Sequence, residues 1–453
     1  MKVLLFFTLI FQSPPGDTVY LSVSRAVKIG LRNNLSLKAK IAELNMSKMD
    51  VLKAKSAFYP SISGQATYTR LSEVQKSKML TGFHLSPTGN PQMPYMIIPE
   101  FSDIQTTFYN NYGLGISVSQ PIFTWGILRK SYELSIEQYK NKQLEIQSEK
   151  LKLEEQIKES YYNLLLVEKS LDVLNQVKRE LEDNYNSTKE RYESGYASDF
   201  ELLRAKVQLK NIDPQIAQLK GQIKVAEDAF KNLIGLPEST AVVLTDTVGF
   251  HPLNVSPDSL IEEAYREHKD LILFKKNIEL LKQTVSIQKR KNFPTVFYNW
   301  SYKYQRPFGM TDEWHGMWTF TLGISWNLFD GGANKANVAR LRYQIKSLEF
   351  SYKSLKDGIA LMIRNYYTNA KSLEQSLEAQ KANLTLAKRA YEMARTQYKE
   401  GYVTSLDVIN AQVQYSQARL NYLKTLIQYQ ISLIQLEYAV KGGISQTSQG
   451  GMR

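Results

Sequence analysis

Few side chains in this sequence have the types and spacing that chemistry needs. The four histidines, His84, His251, His268 and His315, are far apart and form no metal-spaced pair. No phosphate-cradling glycine loop and no nucleophile elbow accompany them. Met79, His84, Met93 and Met96 fall within one segment, and their soft donors would suit Cu(I) or Ag(I). A lone Met-rich stretch is more often an ordinary loop, so no metal, no cofactor, no catalytic residue and no enzyme activity are expected. Cysteine is absent, which excludes disulfides, thiolate sites and a lipid-modified cysteine in these 453 residues. What remains is charge placed on helices. Asp407 and Asn410 are three residues apart and share one face, beside an apolar seam of Leu406, Ile409 and Val413.

The elements that position those residues repeat. RYESGYASDFELLRAKV, from Arg191, matches QYKEGYVTSLDVINAQV, from Gln397, with Gly195 standing against Gly401 and Tyr196 against Tyr402. Tyr161-Tyr162 matches Tyr366-Tyr367, Leu114 to Ser117 matches Leu322 to Ser325, and Tyr59-Pro60 matches Phe293-Pro294. A period of this length is a duplication, not a solenoid. The organisation expected is a first repeat over 17–233 and a second over 257–440. A turn-rich linker at 234–256 joins them, and a tail follows at 441–453.

Each repeat reads helix, near 18–57 and 257–291, then two strands, very long helix, tight turn, helix. The strands lie in hairpins at 60–120 and 294–329, and each has one oily and one wet face. Ile62, Gly64, Ala66 and Tyr68 alternate with Ser61, Ser63, Gln65 and Thr67; Trp300, Tyr302 and Tyr304 alternate with Asn299, Ser301 and Lys303. A half-buried soluble sheet shows the same alternation. Runs of about ten residues with Tyr and Trp on the apolar face also fit tilted membrane-spanning strands. Four strands per chain cannot close a membrane barrel, which needs about eight, so several chains must pool theirs.

The coiled-coil hairpins are expected at 125–233 and 333–438. Their apolar residues recur at threes and fours, as in Leu153, Ile157, Tyr161, Leu164, Val167 and Leu171. A helix of nearly seventy residues is about 100 Å long, too long for a globule. Pro214 lies inside the return helix of the first repeat and predicts a bend or register change there. Residues 70–107 and 305–315 read as loops.

Residues 1–16 carry a Lys2 start and an apolar run from Val3 to Phe11, the pattern of a secretory signal peptide. The net charge is +13, but basic and acidic residues are interleaved along helices, so nucleic acid is not an expected partner.

Taken together, the duplicated helix-strand-strand-helix unit resembles the TolC-type outer-membrane efflux family over residues 18–440. The sharpest local signs are Gln120-Pro121-Ile122-Phe123 and Leu328-Phe329-Asp330-Gly331-Gly332 at the two strand-to-helix joints. The resemblance implies a mostly α fold with β: a long antiparallel coiled-coil α-barrel plus four strands per chain. Those strands would contribute to a twelve-stranded transmembrane β-barrel in a homotrimer set in outer-membrane lipid. It implies a periplasmic adaptor and an inner-membrane transporter as partners, with drugs, metal ions or proteins as cargo. By the same resemblance Gly195 and Gly401 are the hairpin tips that meet the adaptor, and Asp407 and Asn410 form the pore constriction. Asn410 stands where a second acid is often found. Val403 replaces an arginine that pairs with an acid at Glu201, leaving Glu201 and Tyr398 as gate-latch candidates. A ring of Asp407 carboxylates would repel itself and raise its apparent pKa. The rival reading is a secreted coiled-coil scaffold without a pore.

Overall fold

The computed structural model describes residues 18–442, so the expected signal peptide and nearly all of the expected tail lie outside the described residues. The chain divides into two compact units that cut across the sequence repeats. One comprises the described parts of 1–47 and 345–453 together with 139–279; the other comprises 48–138 and 280–344.

In chain order the elements are β1 (Thr18–Leu21), α1 (Val23–Asn33), α2 (Leu35–Ser56), β2 (Ser61–Arg70), β3 (Lys76–Asn90), β4 (Met93–Gln105), β5 (Asn110–Phe123), α3 (Ile127–Glu193) and α4 (Asp199–Ile234). There follow β6 (Ala241–Leu244), α5 (Pro257–Glu267), α6 (Lys269–Gln288), β7 (Thr295–Arg306), β8 (His315–Ser325), α7 (Ala333–Glu400) and α8 (Ser405–Lys441). The long helices α3 and α7 have 67 and 68 residues, as the heptad pattern predicts. No helix among the described residues is long and apolar enough to cross a membrane.

The helical unit is built on the expected seam. Leu153, Ile157, Tyr161 and Leu164 of α3 are buried against Phe230 and Ile234 of α4 and Val27 of α1. Tyr161 fixes this layer: its hydroxyl donates to the Leu21 carbonyl at 2.9 Å and accepts from the Asp246 amide at 3.2 Å. Burial pushes that phenol up to about 12. In the second repeat Ile359 and Ile363 of α7 pack with Leu436 and Val440 of α8 and Ile261 of α5.

Five expectations need correction. The linker at 234–256 is not wholly irregular, because β6 pairs in parallel with β1. The single helix expected near 18–57 breaks at Asn34, whose side chain accepts from the Leu37 amide and donates to the Leu233 carbonyl at 2.8 Å. Its counterpart near 257–291 breaks at buried His268, whose Nδ1 accepts from the Asp270 amide. Each break caps one helix and starts the next. The 70–107 loop is a two-stranded antiparallel ribbon, β3 with β4. Finally, α4 passes uninterrupted through Pro214. Lys178 and Lys210 both pair with Asp213 there, at 2.8 and 3.7 Å, and the Gln215 side chain donates to the Asn211 carbonyl.

Candidate functional site: a one-sided sheet and two helical tips

In the strand unit the sheet order is β2-β5-β7-β8, antiparallel throughout. Register puts Ile62 opposite Val118, Ala66 opposite Leu114, Val118 opposite Trp300, and Trp300 opposite Phe320. Directly opposed residues share a face, so all four strands place their apolar set on the same side. That side is exposed in the protomer: Ile62, Leu114, Trp318, Phe320, Leu322 and Ile324 are all open. The other face is a hydroxyl ladder in which Ser61 meets Ser119, Ser63 meets Ser117 and Ser301 meets Thr319, each at 2.7 Å.

Aromatic belts close both ends of the apolar face. At one end Tyr112 lies between Tyr68 and Trp314, and Tyr304 stacks on Trp314 at 4.9 Å. At the other end Trp125 sits between Phe123 and Phe293. From Phe293, just before β7, to Tyr304 is roughly 36 Å of extended chain, or about 28 Å of height at a tilt of ~40°, close to the ~25 Å apolar band of a membrane barrel.

Below the second belt the two strand-to-helix joints obey one rule with different residues. Gly331 and Gly332 have positive φ (66° and 85°), and Asp330 caps the start of α7, accepting from the Gly332 and Asn334 amides at 3.0 and 2.9 Å. Those bonds, led by Asn334, hold its carboxyl below the usual carboxylate range. In the first repeat the left-handed pair is Trp125 and Gly126, at φ 53° and 74°. A tryptophan in the left-handed region is costly. It is held there by its indole N–H, which donates to the Pro294 carbonyl at 2.6 Å, and by the belt rings.

In the helical unit the tips are near copies. Gly195 and Gly401 have φ of 78° and 85°. The Tyr196 amide donates to the Arg191 carbonyl and that of Tyr402 to the Gln397 carbonyl, the bond that ends a helix on a left-handed glycine. A Cβ at either glycine would meet nothing within 4 Å, so backbone conformation, not crowding within the protomer, requires glycine there. Tyr196 and Tyr402 are 78% and 79% exposed.

The next helix begins at each tip with a capping box. Ser198 and Glu201 bond reciprocally at the start of α4, and Thr404 and Asp407 at the start of α8. Glu201 and Asp407 therefore occupy equivalent places. The Thr404 amide and hydroxyl donate to one Asp407 carboxylate oxygen at 2.9 and 2.6 Å. Thr404, through its hydroxyl first, holds the Asp407 carboxyl below the usual range, opposite in direction to the self-repulsion expected of a ring. Asn410 follows on an exposed face, where the first repeat has Arg204 stacked on Phe200 at 4.6 Å.

The structure does not bond the two latch candidates to each other. Glu201 bonds its own helix cap, whereas buried Tyr398 lies under the Arg191 guanidinium at 4.7 Å, and Arg191 donates to the Tyr398 carbonyl at 2.9 Å. Sequence reasoning missed Arg191. Further from the tips, Arg419 of α8 donates to Gln176 of α3 at 2.7 Å, Gln412 donates to Glu180, and Tyr391 of α7 stacks on Tyr415 of α8. Buried Arg191 Nε, Gln412 Oε1 and Arg419 Nη1 have no hydrogen-bond partner among the described residues, so this polar seam is less fully satisfied than an ordinary core.

A one-sided four-stranded sheet with two aromatic belts, joined in sequence to helices of nearly seventy residues, defines a membrane channel of the strand-and-tunnel class. The model for the family "Outer membrane efflux protein" matches residues 27–236 and 260–440, and the chain belongs to that family. It is similar to the probable outer membrane lipoprotein SilC of Salmonella typhimurium, with 21% identity over 73% of this chain and 72% of the relative. Nodulation protein T of Rhizobium leguminosarum is 19% identical over 94% of this chain and 83% of that protein. The CmeC outer membrane channel of Campylobacter jejuni superposes with a TM-score of 0.73 at 16% identity, over 94% of this chain and 86% of that one. The protein is an outer-membrane efflux channel that extends into the periplasm.

Proposed function

We propose that the chain works as a homotrimer, a passive conduit docked at its helical tips to a periplasmic adaptor and an inner-membrane transporter, and that it carries small molecules or proteins outward. The observation that carries this reading is the sheet: it has an apolar outer face, a hydroxyl inner face and two edges, β2 and β8. Lipid tolerates no open edge, so β2 of one protomer must pair with β8 of the next, and three protomers supply twelve strands. Asp407, with Asn410 a turn further on, lines the narrowest passage. Arg191, gripping Tyr398, is the latch that Glu201 and Val403 do not supply. The under-satisfied seam of Gln412 and Arg419 is where the two hairpins separate on opening.

The test uses the absence of native cysteine. Gln65→Cys on β2 combined with Thr321→Cys on β8 should give covalent trimers with bis-maleimides of graded length in outer membranes. Heat-resistant trimer bands should accompany them. Monomers only, at every linker length, would return the coiled-coil scaffold as the better account.

A further inference from the structure

The β3–β4 ribbon has no counterpart in the second repeat, where β7 and β8 are joined by the short segment 307–314. It stems from the β2–β5 pair, because the Leu71 amide donates to the Tyr109 carbonyl and the Thr106 amide to the Gln75 carbonyl. It therefore leaves the sheet at the Tyr68, Tyr112 and Trp314 belt, the end away from the joints to α3 and α7. Its 15-residue strand makes it about 50 Å long.

Register gives the ribbon two unlike faces. Phe83 opposes Pro99, Leu85 opposes Ile97, and Pro87 opposes Tyr95; before the bulge near Thr81, Leu80 opposes Phe101. These eight residues form one continuous apolar face, and Phe83, Leu85, Tyr95 and Ile97 are each 62–65% exposed. The other face is mixed, with Gly82, His84, Ser86, Met96, Ile98 and Glu100. A two-stranded ribbon alone is at best marginally stable in water, so a face of this composition needs a cover.

Three features select the cover. From Met79 to Pro99 there is no Asp, Glu, Lys or Arg. A surface that meets identical copies around a threefold axis must not bring like charges together, and this one brings none; a surface for anionic lipid headgroups would carry lysine or arginine. Second, the ribbon roots in β2, the edge strand that pairs with the neighbouring protomer in the trimer. Third, it is long enough: twelve strands ~4.8 Å apart at a tilt of ~40° close a ring roughly 24 Å across, so a ~50 Å ribbon reaches beyond the axis.

We infer that the three ribbons pack apolar face against apolar face over the external mouth of the barrel, so that the ribbon's partner is a second copy of this chain. This rests on the trimeric-channel reading above. The packing makes a cap at the external mouth of the barrel.

Single cysteines on intact cells test it. Ile97→Cys, on the apolar face, should be cross-linked to dimers and trimers by a short bis-maleimide and should react slowly with a bulky membrane-impermeant maleimide. Ser86→Cys, on the opposite face, should react fast. Adding Phe83→Asp to Ile97→Cys places three carboxylates in the interface and should speed labelling at 97 at least tenfold. Fast labelling of Ile97→Cys without cross-linking, while the β2–β8 cysteine pair still gives trimers, overturns the inference and leaves the channel standing. A fluorophore at 97 that is quenched by lipid-borne quenchers also overturns it, in favour of the membrane surface. Failure of the β2–β8 pair would remove the trimer and this inference with it.

Discussion

The two helical tips have one backbone and two chemistries. Both close on a left-handed glycine, expose a tyrosine at the next position and restart with a capping box. Around that frame the first tip carries Arg191, Glu201 and Arg204, and the second carries Gln397, Asp407 and Asn410 at the matching places. Duplication kept what the turn physically requires and released everything else. Arg191 of the first tip grips Tyr398 beside the second, Arg204 stacks on Phe200 of its own helix, and Asp407 of the second tip bonds its own cap.

The largest effect should come from breaking what the tips share. Gly195→Trp and Gly401→Trp each force an L-residue into the left-handed region, at a local cost of about 1–2 kcal/mol that leaves the long helices folded. On the proposed docking, the bulk then stands where an adaptor would approach. Export should fall by at least tenfold while detergent-extracted trimers persist, as read by cargo efflux and gel mobility. Normal export from both variants would remove the tips from the docking site.

Next in size is the difference in acid. Asp407→Asn should lower cation over anion preference several-fold in planar bilayers, and the equivalent change Glu201→Gln should not. Equal effects would place the selectivity ring elsewhere. The pH dependence has a definite sign. Thr404 holds the Asp407 carboxyl below its ordinary value, so the charge and the cation preference persist as pH falls, until it passes through that lowered value. Thr404→Val removes the hydroxyl, and the pH at which preference is lost should move up. A midpoint that stays in place would mean that ring repulsion alone sets the titration.

A smaller change is expected from making the first tip resemble the second at one place. Arg191→Gln copies Gln397, removes the guanidinium from the Tyr398 ring and leaves the carbonyl bond weakened, a loss of about 1–2 kcal/mol. Single channels should open more often or to a larger conductance, with fold and trimer unchanged. Unaltered gating would return Tyr398 to a purely packing role.

How far the sequence spoke depended on the length of each signal. The sheet faces were legible because Ile62 to Tyr68 and Trp300 to Tyr304 alternate without a fault, and α3 and α7 because their seams run for nine or more turns. The ribbon was not, because Pro87, Pro91, Pro94 and Pro99 with Gly82 and Gly89 read as loop formers. A two-stranded ribbon consists only of edges, where proline is tolerated. The breaks at Asn34 and His268 were hidden because apolar periodicity resumes at once after each. β1 and β6 are four residues each, too short to announce themselves. At the candidate site Ser198-x-x-Glu201 has the form of a capping box, but Thr404-x-x-Asp407 carries Asp in place of the usual Glu or Gln, and the family resemblance drew both acids into channel roles instead. Arg191 carried no local signal, since its partner lies 207 residues away.

The smallest effect belongs to the joints. Trp125→Gly copies Gly331 and relieves the left-handed backbone by about 1 kcal/mol, while it gives up the indole bond to Pro294 and the belt contacts. The two should nearly cancel, giving a trimer melting temperature within a few degrees of wild type. A loss of trimer would show that the belt outweighs the strain.

The hydroxyl ladder of the sheet has a consequence for whatever passes it. In Ser61 with Ser119, Ser63 with Ser117 and Ser301 with Thr319, each pair shares one hydroxyl–hydroxyl hydrogen bond and leaves its second hydroxyl proton and its remaining lone pairs to solvent. With Gln65, Asn299 and Lys303 on the same face, the wall is a row of polar groups that holds water along the strands. Were that face to line a passage, each strand would offer a solute hydrogen-bonding groups with water between them, so a polar cargo could exchange its hydration shell for the wall step by step.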